Sequence, residues 1–420
     1  MPIRVLPLCL WSLATVLAVP AAAGAERIAR QACRLTAGTA AAAGPGCAER
    51  WMDANLRLND LSVVGTHNSY KRAIPRSDYA VAAKADARGV MARDYAHKPL
   101  DQQLDAGVRE IEIDVVYDPR GGRYAHPQIA GQAHDRLDPL WTRAMIRPGF
   151  KVMHVPDLDF RSTCVTLKAC LTIVRRWSDA HPRHVPILIL INAKDGVAVP
   201  GGVPLLTFDQ RAFDAFDREV RSVLPASKLV TPDDVQGSYP TLRDAVLHGN
   251  WPKLGDARGH ILFALDEDQP KVAAYRGRRH SLEGRVMFVN IDENSPAAAY
   301  RTLNDPIGNA AQIARDVRAG FLVRTRADVD TWQARANDAA HRDAALRSGA
   351  QAVSTDYIWP DHRFPGGFSV RLPNRQAALC NPLRTDARCA GLPVERVTDK
   401  DWRLGEQNPV VVPDRQAIDR

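Results

Sequence analysis

Between residues 58 and 360 the chain repeats one pattern. A short run of branched or aromatic apolar residues stops on polar, proton-handling side chains, and a stretch with helical spacing usually follows. Eight such runs can be marked, at 61–65, 108–116, 150–155, 187–191, 261–265, 286–291, 321–326 and 350–355. Strands that alternate with helices build βα units and a parallel sheet. Eight of them suit a closed (β/α)8 barrel, whose chemistry sits at the C-terminal ends of the strands. An open doubly wound sheet is the competing arrangement, but no GxGxxG loop opens a helix here. Helices are expected over 166–178, 207–223, 241–247, 309–319 and 329–347, the last stopped by Gly349.

What flanks the barrel is of another character. Residues 1–25 carry Arg4, an apolar run from Val5 to Pro20 and then Ala23-Gly24-Ala25, the layout of a cleaved signal peptide. The run is broken by Pro7 and Pro20 and no later segment reaches the ~18 apolar residues of a membrane span. A secreted or periplasmic protein is therefore expected, acting as a monomer. Residues 26–57 read as a surface extension and 361–420 as a tail packing on the barrel domain at 58–360. Without Cys9 of the leader, six cysteines remain in three close pairs, which favours Cys33 with Cys47, Cys164 with Cys170 and Cys380 with Cys389. No CxxC spacing supports zinc. The formal charge of +8 is spread along the chain, which favours acidic lipid or phosphate-bearing partners and argues against nucleic acid.

The ends of the apolar runs collect a specific set of groups. His67 and Asn68 follow the first. Along VREIEIDVV the residues Ile111, Ile113 and Val115 fall on one face and Glu110, Glu112 and Asp114 on the other, so a central strand would point its carboxylates into the barrel. His154, Asn192, Lys194, Arg324 and Arg326 close later runs. Two histidines can divide the work of acid and base. Asn68, Glu112, Asp114 and Asn192 offer oxygen donors that suit Ca²⁺ or Mg²⁺ better than zinc, and Lys194 with the arginines supplies charge for a phosphoryl transition state. Metal-assisted phosphodiester cleavage is the chemistry this set can perform.

The chain resembles the calcium-dependent phosphoinositide-specific phospholipases C, secreted bacterial and fungal branch. The segments that carry the likeness are GTHNSY at 65–70, EIEIDV at 110–115, the His154 run end, PILILINAKD at 186–195, GFLVRTRAD at 320–328 and SGAQAVSTDY at 348–357. The resemblance implies a barrel enzyme that cleaves phosphatidylinositol at a membrane surface. The inositol 2-hydroxyl would attack phosphorus, diacylglycerol would depart, and Ca²⁺ would bind both the hydroxyl and the phosphate. Carried over, His67 is the base or transition-state stabiliser, His154 the general acid, and Asn68, Glu112, Asp114 and Asn192 the calcium ligands. Lys194, Arg324, Arg326 and Tyr357 would contact substrate. Asn192 stands where related enzymes often have a Glu, which removes one negative charge. The rival readings are a glycerophosphodiester phosphodiesterase, which would carry His-Arg-Gly and His-Asp where this chain has His67-Asn68 and His154-Val155, and an inactive barrel that only binds inositol lipids or sugars.

Overall fold

The structure is a computed structural model that describes residues 46–398. The expected signal peptide, Cys33 with its pairing to Cys47, and residues 399–420 lie outside the described residues.

Eight parallel strands form the barrel: β1 (Leu61–Thr66), β2 (Glu110–Val116), β4 (Ile187–Lys194), β5 (Ile261–Leu265), β6 (Met287–Val289), β7 (Tyr300–Thr302), β8 (Leu322–Arg326) and β9 (Ala352–Thr355). Neighbours run in the order β6-β5-β4-β2-β1-β9-β8-β7, and a single parallel bridge from Asn290 to Tyr300 brings β7 back to β6. The ring is thus nearly closed.

Eight is the expected number, but one member differs. The run 150–155 is not a stave. Only Lys151–Val152 is extended, as β3, and it lies antiparallel on the end of β2, with Val152 opposite Val115. β2 and β4 pair directly over seven positions, from Glu110 with Leu188 to Val116 with Lys194, so nothing can lie between them. The place is taken by β7, three residues long and too short to show any alternation. Apolar runs of a few residues do not declare their pairing by periodicity alone.

β2 is buried at all seven positions. Ile111, Ile113 and Val115 join Leu171 and Val174 of the helix Leu167–Ala180 in the main hydrophobic cluster. Glu110, Glu112 and Asp114 occupy the other face and are equally buried, inside the barrel. Helix starts follow their caps: Thr166 accepts from the Ala169 amide at 3.2 Å and Asp209 from the Ala212 amide at 2.9 Å. The expected helix 329–347 is broken into Trp332–Ala336 and Ala340–Arg347. Asn337 turns left-handed (φ 51°) where the first helix ends, and the Asp338 carboxylate accepts from the Ala340 amide in the turn that precedes the second.

The N-terminal flank and the later part of the tail pack at the N-terminal end of the barrel, while the tail's first residues, Arg363 to Val370, pack beside Asp94 and Tyr357 at the other end. Residues 46–57, expected as a surface extension, include the helix Cys47–Asn55, whose Met52 packs with Leu56, Leu61, Val185, Leu254 and Leu392 in a separate small core. In the tail, β10 (Gln376–Cys380) pairs antiparallel with β1, Leu61 opposite Cys380. β11 (Glu395–Arg396) pairs with β10 and presents Glu395 to the Arg109 guanidinium. Disulfides join Cys164 to Cys170 and Cys380 to Cys389, as the spacing predicts. Among the described residues, no helix is long and apolar enough to cross a membrane.

Candidate active site

β1 ends in a turn that delivers His67 and Asn68 over the mouth. Asn68 adopts a left-handed φ of 48°, a conformation asparagine tolerates better than most residues. The turn is stitched to β2 through Ser69, whose amide donates to the Glu112 carbonyl at 3.0 Å while its hydroxyl accepts from the Glu112 amide at 2.8 Å. Gly65 is required one step earlier, because a Cβ there would stand 1.7 Å from a carboxylate oxygen of Glu110.

Two histidine–carboxylate pairs result. His67 Nδ1 lies 2.8 Å from Asp356 Oδ1, just past β9, and 3.1 Å from the Tyr95 hydroxyl. A carboxylate only accepts, so the proton belongs on Nδ1 and the Nε2 lone pair is free. Nε2 stands 3.6 Å from Glu112 Oε1. Burial pushes the His67 pKa down to about 4, helped by Arg326 and opposed by Glu112 and Asp356, so the ring is neutral at neutral pH. Burial raises Asp356 too, but Arg326 and His67 outweigh it and hold this carboxyl well below the usual range.

His154 sits in the loop after β3, not at a stave end. The segment Val155–Asp159 folds back on itself around a left-handed Asp157 (φ 71°). The fold-back sets Asp159 Oδ2 2.8 Å from His154 Nδ1 and 3.2 Å from Lys71 Nζ. Burial works against the Asp159 anion, yet Lys71 and His154 prevail and lower its pKa. Both histidines keep about a fifth of their side chains exposed, 21% and 18%, and line one cavity of about 510 Å³ with Arg326, Arg88 and Arg93.

The acidic face of β2 continues into the barrel. Glu112 Oε2 accepts from Arg324 Nη2 at 2.6 Å across the interior, and its Oε1 accepts from Asn192 Nδ2 at 2.9 Å. Beneath it, burial raises the Glu110 pKa to about 8, Arg324 opposing and Glu112 assisting, so Glu110 is protonated at neutral pH. Asp114 receives no hydrogen bond at either oxygen although both are buried. Lys194 Nζ, 3.0 Å from Oδ2, makes an ion pair with it without the alignment of a hydrogen bond.

The other expected substrate contacts divide by depth. Arg326 donates to Asp356 at 3.0 Å and reaches the cavity. Arg324, two residues deeper, is 1% exposed and held by Glu112 and Asn304. Tyr357 is buried between Phe364 and Phe368, edge-on to both. Asp356, Asp159 and Tyr95 are the site residues that sequence reasoning missed. Asp356 stood inside the STDY segment and Asp159 five residues past His154, but no spacing rule marks either as a partner.

The oxygen donors fit a hard cation. Asp114 offers two buried oxygens that accept no hydrogen bond, one of them in ion-pair contact with Lys194, and the Asn68 amide gives its N–H to Tyr95 at 2.8 Å, leaving Oδ1 with one long contact of 3.4 Å from Tyr70. Among the described residues no three His, Cys, Asp or Glu side chains form a metal-ligating cluster. This set is instead two carboxylates with two amides, the mixture calcium accepts.

Residues 56–382 match the family model described as phosphoinositide phospholipase C, Ca²⁺-dependent. Among solved structures the chain is similar to a calcium-dependent phosphoinositol-specific phospholipase C from Pseudomonas sp. The identity is 19% over 73% of this chain and 92% of that one, with a TM-score of 0.46. It is also similar to a Ca²⁺-dependent phosphatidylinositol-specific phospholipase C from Streptomyces antibioticus (18% identity, 72% and 95% covered, TM-score 0.43). A third is the phosphatidylinositol-specific phospholipase C of Listeria monocytogenes (14%, 73% and 93%, 0.41). No curated protein matches.

Proposed function

The chain belongs to the Ca²⁺-dependent phosphoinositide phospholipase C family, and from that premise we propose how its residues divide the cleavage of phosphatidylinositol. The enzyme is a phospholipase C-type phosphodiester hydrolase. The observation that carries the division of labour is the pair of histidine–carboxylate dyads opening on one cavity.

His67, neutral and with Nε2 unprotonated, takes the proton of the inositol 2-hydroxyl. The freed oxygen bonds to phosphorus, the bond from phosphorus to the diacylglycerol oxygen breaks, and His154, entering the step as the imidazolium with Nδ1–H on Asp159, delivers its Nε2 proton to the departing oxygen. Asp356 holds the His67 proton on Nδ1 and stabilises the imidazolium that His67 becomes, and Asp159 stabilises the imidazolium from which His154 starts. Asn68, Glu112, Asp114 and Asn192 would hold calcium, which when bound supplies positive charge against the phosphate oxygens. Arg326 adds charge from the cavity wall. Arg324 serves Glu112 instead of the substrate.

The lipid is met at a membrane, by a chain exported from the cytoplasm and acting as a monomer. The position of five of the seven exposed large apolar side chains among the described residues supports the approach to a membrane. Leu140 and Ile146 lie on the excursion between β2 and β3, and Val197, Ile307 and Val329 within five residues after β4, β7 and β8, on the side that carries the cavity, whereas Leu247 and Leu346 sit on helices that lead back to β5 and β9. Arg136, Arg143 and Arg147 are exposed beside the first two and suit an anionic surface.

The test compares phosphatidylinositol with glycerophosphoinositol, each with calcium and with chelator. We expect diacylglycerol release that needs calcium, and far slower turnover of the deacylated compound. Turnover of glycerophosphoinositol with phosphatidylinositol untouched would point to the glycerophosphodiester reaction, and full activity under exhaustive chelation would remove the metal.

A further inference from the structure

The carboxylates that would hold calcium each already face a cation supplied by the chain. β2 and β4 run in register, Asp114 beside Asn192 and Val116 beside Lys194, so Asn192 and Lys194 project on the same face as Glu112 and Asp114. Arg324 Nη2 lies 2.6 Å from Glu112 Oε2, and Lys194 Nζ lies 3.0 Å from Asp114 Oδ2. Asn192 contributes no charge and gives its amide to Glu112. Two negative groups are thus balanced by two positive ones, and position 192 offers a neutral oxygen but no charge to attract a divalent ion.

The two cations are not equally held. Arg324 is buried and fastened at its other nitrogen to Asn304 at 2.6 Å. The Lys194 side chain is 34% exposed, at the end of β4, on a stem that can swing into water. An ammonium within ion-pair distance of Asp114 would repel a doubly charged ion bound to the same oxygens.

The geometry points to Lys194 as an internal competitor for the calcium site: its ammonium and the metal bind Asp114 in exclusive fashion, so calcium enters only as Lys194 leaves. The inference rests on the reading of Asp114 as a calcium ligand. Calcium affinity in this chain is then set by a residue that is not itself a ligand, and is weaker than the donor oxygens alone would give.

Calorimetric titration of the full-length protein with calcium chloride tests this without recourse to activity. K194M should bind calcium at least about tenfold more tightly than the unchanged protein, since a full positive charge beside the ion has gone. K194R, which keeps the charge, should stay within about threefold, and D114N should lose binding. K194Q repeats the arm with a polar side chain should K194M fold poorly. Calcium affinity in K194M and K194Q equal to or below that of the unchanged protein, or no detectable binding in either, overturns the inference. D114N binding calcium as the unchanged protein does would instead show that the ligand assignment is wrong, a different failure.

Discussion

At the scale of single residues, the two dyads look alike but carry different duties, and the difference can be measured. A general acid matters in proportion to how badly the leaving group needs a proton, whereas a base that activates the attacking hydroxyl matters for every substrate. His154→Ala should lose on the order of 10²-fold or more on phosphatidylinositol, and much less on a nitrophenyl ester that departs without protonation. His67→Ala should be slow on both. Equal penalties for His154→Ala would mean that its place beside Asp159 is structural or that the two roles are exchanged. The histidines were legible because they interrupt or follow apolar runs. Their partners were not: Asp356 is 289 residues from His67, and no local pattern reports a contact across that interval. Arg324 and Arg326 share a strand face in the sequence, but only depth in the barrel decides that one clamps Glu112 while the other reaches the cavity.

Among elements, the contact between β1 and β2 is where the sequence was most informative. The alternation in EIEIDVV predicts carboxylates inside the barrel, and all three are there because β2 is central and covered on both faces. The apposition is tight enough to test. Gly65→Ala would place a methyl in the space of the Glu110 carboxyl, so it should cost on the order of 1–3 kcal/mol. Gly65→Ala with Glu110→Gly, which removes the Glu110 Cβ as well as its carboxyl, should lose less than the sum of the two single changes by about 1 kcal/mol or more. Chemical denaturation of the three variants decides it, and strict additivity would mean that the two positions do not press on each other. Elsewhere the elements were less legible. The run at 150–155 has the composition of a stave but not the pairing, whereas β7 has the pairing and almost no composition to show for it.

The whole molecule has two unlike ends. Its C-terminal mouth bears the cavity, the basic side chains and the five exposed apolar ones, while its N-terminal end is closed by the helix Cys47–Asn55 and by β10. If the mouth is what meets lipid, Leu140→Glu with Ile146→Glu should weaken binding to vesicles containing phosphatidylinositol and slow their hydrolysis several-fold, leaving a soluble short-chain substrate turned over at the same rate. Sedimentation with vesicles reads the first and parallel assays the second. Unchanged vesicle binding would show that another face approaches the membrane. The closed end has a consequence in time. β1 is hydrogen-bonded to β9 and β10, which follow it by roughly three hundred residues. At about 5–20 residues per second of synthesis, the first strand waits roughly 15–60 s for these neighbours to be made. Until β9 and β10 have left the ribosome, the first strand of the barrel is without the neighbours that complete it, so the ring closes late in synthesis.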